Sequence, residues 1–168
     1  GNLLVALAEP QAVARATAAH PSDLPRQQAA VAGWLSRRYK VAPEPVSRIV
    51  QEAWTLGQRS KLDPTLILAV MAVESSFNPF AQSPVGAQGL MQVIPRFHQD
   101  KLDAMPGNNN LLDPMVNIQV GALVLKEYIR RTGSLEAGLQ LYAGAVSDDE
   151  GVYAAKVLAE KQRIESAA

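Results

Sequence analysis

Residues 63–80 read "DPTLILAVMAVESSFNPF", and the fold turns on the middle of that stretch. Asp63 followed by Pro64 marks a helix start. The aspartate can accept from the free amides of the first turn, and a proline in that turn gives up an N–H that has no partner there. Eight apolar residues follow without a break, Leu66 to Val73. A helix apolar on every side is buried on every side, so this one, from Pro64 to about Ser76, is expected at the centre of an all-α domain. Glu74 stands where the run ends. A carboxylate beside a core is costly unless it has a partner or a task.

Working outward, the flanks are helical too. Upstream, Val31, Trp34, Leu35 and Arg38 recur at three-four spacing. "VAPEPV" at 41–46 breaks the chain, and Val46, Ile49, Val50, Ala53, Trp54 and Gly57 form a second stripe. Downstream, Asp113-Pro114 repeats the cap-and-proline device. It predicts a helix to about Arg131, ended by Gly133, with Val116, Val120, Leu123 and Val124 inward and Gly121 at a close backbone approach. Ser134 caps a helix to about Gly144, and Asp148 or Asp149 caps a last one carrying Val152, Tyr153, Val157 and Leu158. Gly- and Asn-rich connections fall at 78–90 and 106–110, and no segment alternates as a strand would. Residues 1–25, rich in Ala with three prolines, read as a loosely held arm, and 26–168 as a single domain.

Composition narrows the chemistry. Sixteen Lys and Arg balance sixteen Asp and Glu, so the chain lacks the basic footprint of a nucleic-acid binder. The pairs Arg37-Arg38 and Arg130-Arg131 read as solvated helix faces. There is no cysteine, which removes disulfides, thiolate zinc sites and a thiol nucleophile together. His20 and His98 are isolated and read as surface residues, too few for a metal cluster. No apolar run approaches the ~18 residues of a membrane span. "LLVALA" at 3–8 is too short for an intact signal peptide and fits a processed chain.

Glu74 is therefore the residue to explain. It lies one turn beyond Val70 and Met71, in the last turn of its helix. Desolvation there raises a carboxyl pKa, and the negative end of the helix dipole adds to it. Both favour the protonated form that a general acid needs near neutral pH. The bland alternative is a carboxylate meeting an arginine or solvent. From Ser75 to Gln99 no other acid occurs, while amides, hydroxyls and apolar groups crowd the segment. That is the inventory of a sugar groove, and Gly86 and Gly89 allow sharp turns beside it.

Residues 74–95, "ESSFNPFAQSPVGAQGLMQVIP", resemble the signature of the soluble lytic transglycosylases, goose-lysozyme-like enzymes that cleave the glycan strands of peptidoglycan. "DPMVNIQVGALVL" at 113–125 resembles the second motif of that family, with Asn117, Ile118 and Gly121 in register, and "LQLYAGA" at 139–145 its third. The likeness spans about residues 60–158. It implies a lysozyme-like helical fold and makes Glu74 the catalytic acid and base. It further implies substrate-binding roles for Ser83, near an N-acetyl group or the base, for Met91 and Gln92 beside the cleaved bond, for Ile94 in an apolar wall, and for Tyr142 near the carboxylate. Asn117 is carried as a candidate on the same ground, although a structural role is the preferred reading for it. On the residues alone, Ser83 also fits a turn, Gln92 a helix cap and Tyr142 the core.

Two positions depart from the family pattern. Ala143 stands where relatives write Asn after the tyrosine, and Ile94 where many have Met. The reaction the resemblance implies breaks the β-1,4 bond between N-acetylmuramic acid and N-acetylglucosamine, leaving a 1,6-anhydro end without water. It calls for no cofactor or metal. A hydrolytic muramidase and a weak or inactive peptidoglycan-binding scaffold are the alternatives. The implied partner is the glycan strand, acting on a monomer in the periplasm, with no nucleic acid and no integral membrane segment.

Overall fold

The computed structural model describes residues 24–107, 109–144 and 151–168. Among them the helices are α1 (Arg26–Tyr39), α2 (Pro43–Ser60), α3 (Pro64–Ser75), the short α4 (Gln99–Asp103), α5 (Pro114–Thr132), α6 (Leu135–Ala143) and α7 (Val152–Ala167). A single 3-10 turn, Pro95–Phe97, precedes α4. Isolated bridges at Gln82–Gln88 and Gln88–Val93 are the only strand-like pairing among the described residues. The expected all-α class holds.

The helices begin and end where the side chains dictate. Asp63 accepts from Thr65 N at 2.9 Å, and Asp113 from Met115 N at 2.9 Å. Ser134 Oγ accepts from Ala137 N at 3.1 Å. Gly133 closes α5 at φ 84°, a left-handed conformation that glycine adopts without a Cβ penalty. Every residue of α3 from Thr65 to Ala72 is buried, as an unbroken apolar run requires. α7 packs along one side of α3, α2 along another, and α1 bridges α2 and α7, while α5 carries α6 and leans on α2.

Three expectations change. Leu123 is 40% exposed, because α5 buries the line Val116, Asn117, Val120, Gly121, Val124 and leaves Leu123 and Lys126 on the outer side. His98 is buried, tucked under α5 with its ring 6.0 Å from that of Tyr128. Burial, then the charge of Lys101, holds its imidazole below the usual range. Arg38 is not simply solvated: it pairs with buried Glu160 of α7 at 3.0 Å. The arm up to residue 23, His20, and the proposed caps Asp148 and Asp149 lie outside the described residues. α7 itself starts after Gly151, in a left-handed conformation at φ 76°. Among the described residues no helix is long and apolar enough to cross a membrane.

Candidate active site

Glu74 occupies the penultimate position of α3, partly buried, where the helix leaves the core. The chain then turns sharply: Ser76 and Phe77 are both left-handed, at φ 51° and 65°. Two non-glycine residues in that region in succession cost on the order of 1–3 kcal/mol each, and such strain persists only where surrounding contacts impose it. Here Phe77 is buried under the Tyr39 ring at 5.1 Å, and Ser75 Oγ donates to Leu90 O at 2.7 Å.

The connection that follows is tied down at each step. Ser83 Oγ accepts from Ala87 N at 3.0 Å, while Ser83 N donates to Ala87 O, which closes a tight turn through Gly86. Gln92, itself left-handed at φ 52°, donates its amide to Ala81 O and Gly89 O, both at 3.0 Å. Asn117, fully buried on α5, donates to Gln88 O and Leu111 O and accepts from Met91 N, each at 2.8 Å. Gly89 is required beside it, since a Cβ there would come within 2.2 Å of the Asn117 amide nitrogen.

Two tyrosines complete the surroundings of the carboxylate. Tyr153, on α7, donates its hydroxyl to Glu74 Oε2 at 2.6 Å. Tyr142, on α6, donates to the carbonyl of Met91 at 2.7 Å and lies close enough for the charge of Glu74 to raise its own pKa, after burial. Burial drives the Glu74 carboxyl up from 4.5 to about 7, with the Tyr153 hydrogen bond pulling the other way. No cation and no second carboxylate contributes to that balance among the described residues. Asp113 is occupied capping α5, and Asp103 accepts from Gln99 at 2.9 Å. A carboxylic acid half protonated at neutrality, with a neutral hydroxyl donor on one oxygen, can give a proton and take one back.

The candidate residues therefore separate. Gln92, Ile94 and Tyr142 line a cleft of about 230 Å³ together with Val93, Phe97 and Leu141. Ser83 sits in its turn with its oxygen engaged by the backbone. Met91 is a correction: its side chain is fully buried against Gly121, where a Cβ would lie 2.5 Å from the Met91 sulfur, so only its backbone carbonyl faces the site through Tyr142. Asn117 takes the structural role that the sequence reading preferred for it, with all its polar atoms used in holding the loop. Tyr153 is the residue that sequence reasoning missed, grouping it with the apolar face of α7. The signal was available: a tyrosine on an inward face must find an acceptor for its hydroxyl.

With this geometry in hand, comparison with known proteins decides the family. The profile of the family described as "Transglycosylase SLT domain" matches residues 53–155, more than half of the chain. The chain belongs to the transglycosylase SLT domain family. The lysozyme-like helical fold expected from the motifs is the fold of that family. The SLT domain is 42% identical over 76 residues to the "Membrane-bound lytic murein transglycosylase C" of Actinobacillus pleuropneumoniae serotype 5b, covering 42% of this chain and 21% of that protein. It is 38% identical over 96 residues to the "Transglycosylase" of Enterobacteria phage PRD1, covering 55% of this chain and 34% of that one. The matches thus span about a fifth to a third of the length of these relatives. No solved structure matches the chain significantly.

Proposed function

We propose that this SLT domain is a lytic transglycosylase acting on peptidoglycan glycan strands, with Glu74 as its only acid and base. The observation that carries the proposal is the state of that carboxyl: partly buried at the end of an apolar helix, brought to about 7 by burial, and touched by Tyr153 with no ion-pair partner among the described residues. The names of the relatives, lytic murein transglycosylase and transglycosylase, support the same reaction class.

In the reaction, Glu74 gives its proton to the oxygen joining N-acetylmuramic acid to N-acetylglucosamine, and the bond from the muramic anomeric carbon to that oxygen breaks. The acetamido oxygen of the same sugar meets the positive charge. Ionised Glu74 then takes the proton of the muramic 6-hydroxyl, whose oxygen attacks the anomeric carbon and closes the 1,6-anhydro ring. Nucleophile and electrophile belong to one sugar, which gives the high effective molarity of an intramolecular step. Double-displacement or inverting hydrolysis would instead need a second carboxyl about 5–5.5 or 6.5–9.5 Å away. The Tyr153 hydroxyl favours the ionised form of Glu74 and so serves the second half of the cycle. Gln92, Ile94 and Tyr142 are assigned to the wall beside the cleaved bond, and Ser83 to its rim. Residues 26–168 form the working unit, as a monomer, in the cell envelope where its substrate lies, on the periplasmic side.

Digestion of purified sacculi followed by mass spectrometry of the soluble products tests this. Anhydro-muropeptides from the wild type and none from Glu74→Gln are expected. Products heavier by one water would make the domain a hydrolytic muramidase. Retention on sacculi without soluble product would make it a binding scaffold, the reading that Ala143 in place of the family asparagine favours.

A further inference from the structure

α7 presents Tyr153, Val157, Glu160 and Ile164 on one face, at four- and three-residue intervals. Tyr153 reaches Glu74 near the start of α7, and Lys161 reaches Asp63 at 3.3 Å, so α7 runs antiparallel to α3 from end to end. Between those ends α3 offers only apolar side chains, from Leu66 to Val73. The hydrophobic attraction between such faces is non-directional, and a buried polar contact selects more sharply among the registers that packing allows. The Lys161–Asp63 pair is partly exposed, and such pairs contribute little.

The directional contact lies two turns along α7 from Tyr153. Glu160 is 4% exposed and accepts from Arg38 Nε at 3.0 Å, Arg38 Nη2 at 3.2 Å, Arg163 Nη1 at 3.0 Å and the hydroxyl of Tyr39. Arg38 and Tyr39 belong to the last turn of α1. The Tyr39 ring packs on Phe77, three residues past Glu74. Tyr39 therefore contacts both α7 and the chain that leaves the Glu74 helix. A buried ion pair is weak evidence for stability, and its best-attested use is to fix register.

We propose that Glu160 is a positioning residue for Glu74: clamped to Arg38 and Tyr39, it sets the register of α7 and thereby where Tyr153 presents its hydroxyl. The role of Glu74 in this sentence rests on the proposed function, but the coupling is measurable without turnover. The experiment is a carbon-13 NMR titration of the glutamate carboxyls, with Glu74 assigned by its loss in Glu74→Gln. Removing the donor in Tyr153→Phe is expected to move the Glu74 titration upward by on the order of one pH unit. Glu160→Leu and Tyr39→Phe are expected to move it in the same direction and to add little in combination with Tyr153→Phe. Glu160→Gln keeps one oxygen to accept from Arg38 Nε and Tyr39 but turns a donor toward Arg38 Nη2 and Arg163 Nη1, so its shift is expected to fall between those of the wild type and Glu160→Leu. Should Glu160→Leu and Tyr39→Phe lower the unfolding temperature while the Glu74 titration stays in place, or should their effects add to that of Tyr153→Phe, the positioning role is overturned. Tyr39→Phe loses one hydroxyl and keeps its ring, so it reports even where Glu160→Leu fails to fold. If the titration shifts as described but Glu74→Gln still releases muropeptides, the coupling stands and the proposed reaction falls.

Discussion

The hydroxyl of Tyr153 donates to Glu74 Oε2 across 2.6 Å, joining residues 79 positions apart in the chain. Each modifies the other. Burial, and then the carboxylate, raise the tyrosine pKa far above its usual value, so the phenol stays a donor at every working pH. The phenol in turn restrains the rise that burial imposes on the carboxyl. The two sit on opposite sides of the interface between α3 and α7, and the chemistry depends on how those helices meet.

Loss of the Tyr153 hydroxyl leaves desolvation unopposed. In Tyr153→Phe the alkaline limb of kcat/KM is expected to move to higher pH with the fold intact, since the ring still fills its place. A pH profile on soluble glycan strands measures this. A limb that stays put, or moves down, would show that the hydroxyl does not act on the acid.

In the wild type one ionisation is expected to shape that profile. In the proposed reaction the free enzyme with protonated Glu74 is the reactive form, so kcat/KM is expected to fall as pH rises through about 7. No acidic limb arises from Glu74, because the first half-reaction itself generates the base. A symmetric bell with a second group near pH 5 would contradict this account.

The same group makes stability depend on pH. Its folded pKa, about 7, lies above the ordinary value of 4.5, so the native state binds the proton more tightly than the unfolded chain does. The stabilisation is whole below about 4.5 and is lost as pH rises through about 7. Glu74→Gln escapes that loss. It is expected to exceed the wild type by about 1–3 kcal/mol at pH 8 and to converge with it at pH 4.5, as read from urea midpoints.

Asn117 holds the connection that follows Glu74. Asn117→Leu strips Met91 N of its acceptor and Leu111 O of the Asn117 donor in a buried setting, and takes one donor from Gln88 O, which keeps Val93 N. A loss of about 2–5 kcal/mol is expected, since buried groups left without partners cost about 1–3 kcal/mol each. Urea denaturation measures it, and a variant within 1 kcal/mol of the wild type would remove Asn117 from that role.

Gly121 is the counterpart on the same helix face. In Gly121→Ala the new Cβ would meet Met91 Sδ at 2.5 Å and Met91 Cβ at 2.7 Å. The thioether can move, but the Cβ moves only with its backbone, whose carbonyl holds Tyr142. Overpacking is expected to cost about 1–3 kcal/mol and to lower the unfolding temperature. An unchanged melting curve would mean the approach is looser than drawn.

Much of this was legible in the linear chain. The caps at Asp63, Asp113 and Ser134, the stop at Gly133 and the apolar run of α3 are local signals, each acting within a few residues, and the helices follow them closely. The motif after Glu74 marked the acid, and Gly121 inside the helix that follows Asp113-Pro114 marked the close approach to α5. Leu123, His98 and Arg38 were misplaced because periodicity assigns a face but not its width, and because a polar residue is buried only when a distant element supplies its surroundings.

From the order of residues came an all-α domain, a central helix and an acid at its end, since hydrogen bonding along a helix and the burial of an apolar run are decided by neighbours in sequence. The assembled molecule decided which groups act on that acid. Tyr153 arrives from a helix 79 residues away, Met91 turns its side chain into the core and leaves only a carbonyl to the site, and Asn117 serves the loop instead of a ligand. Hydrogen bonds and desolvation fall off within a few ångströms, so their partners are set by proximity in space, which chain position does not encode.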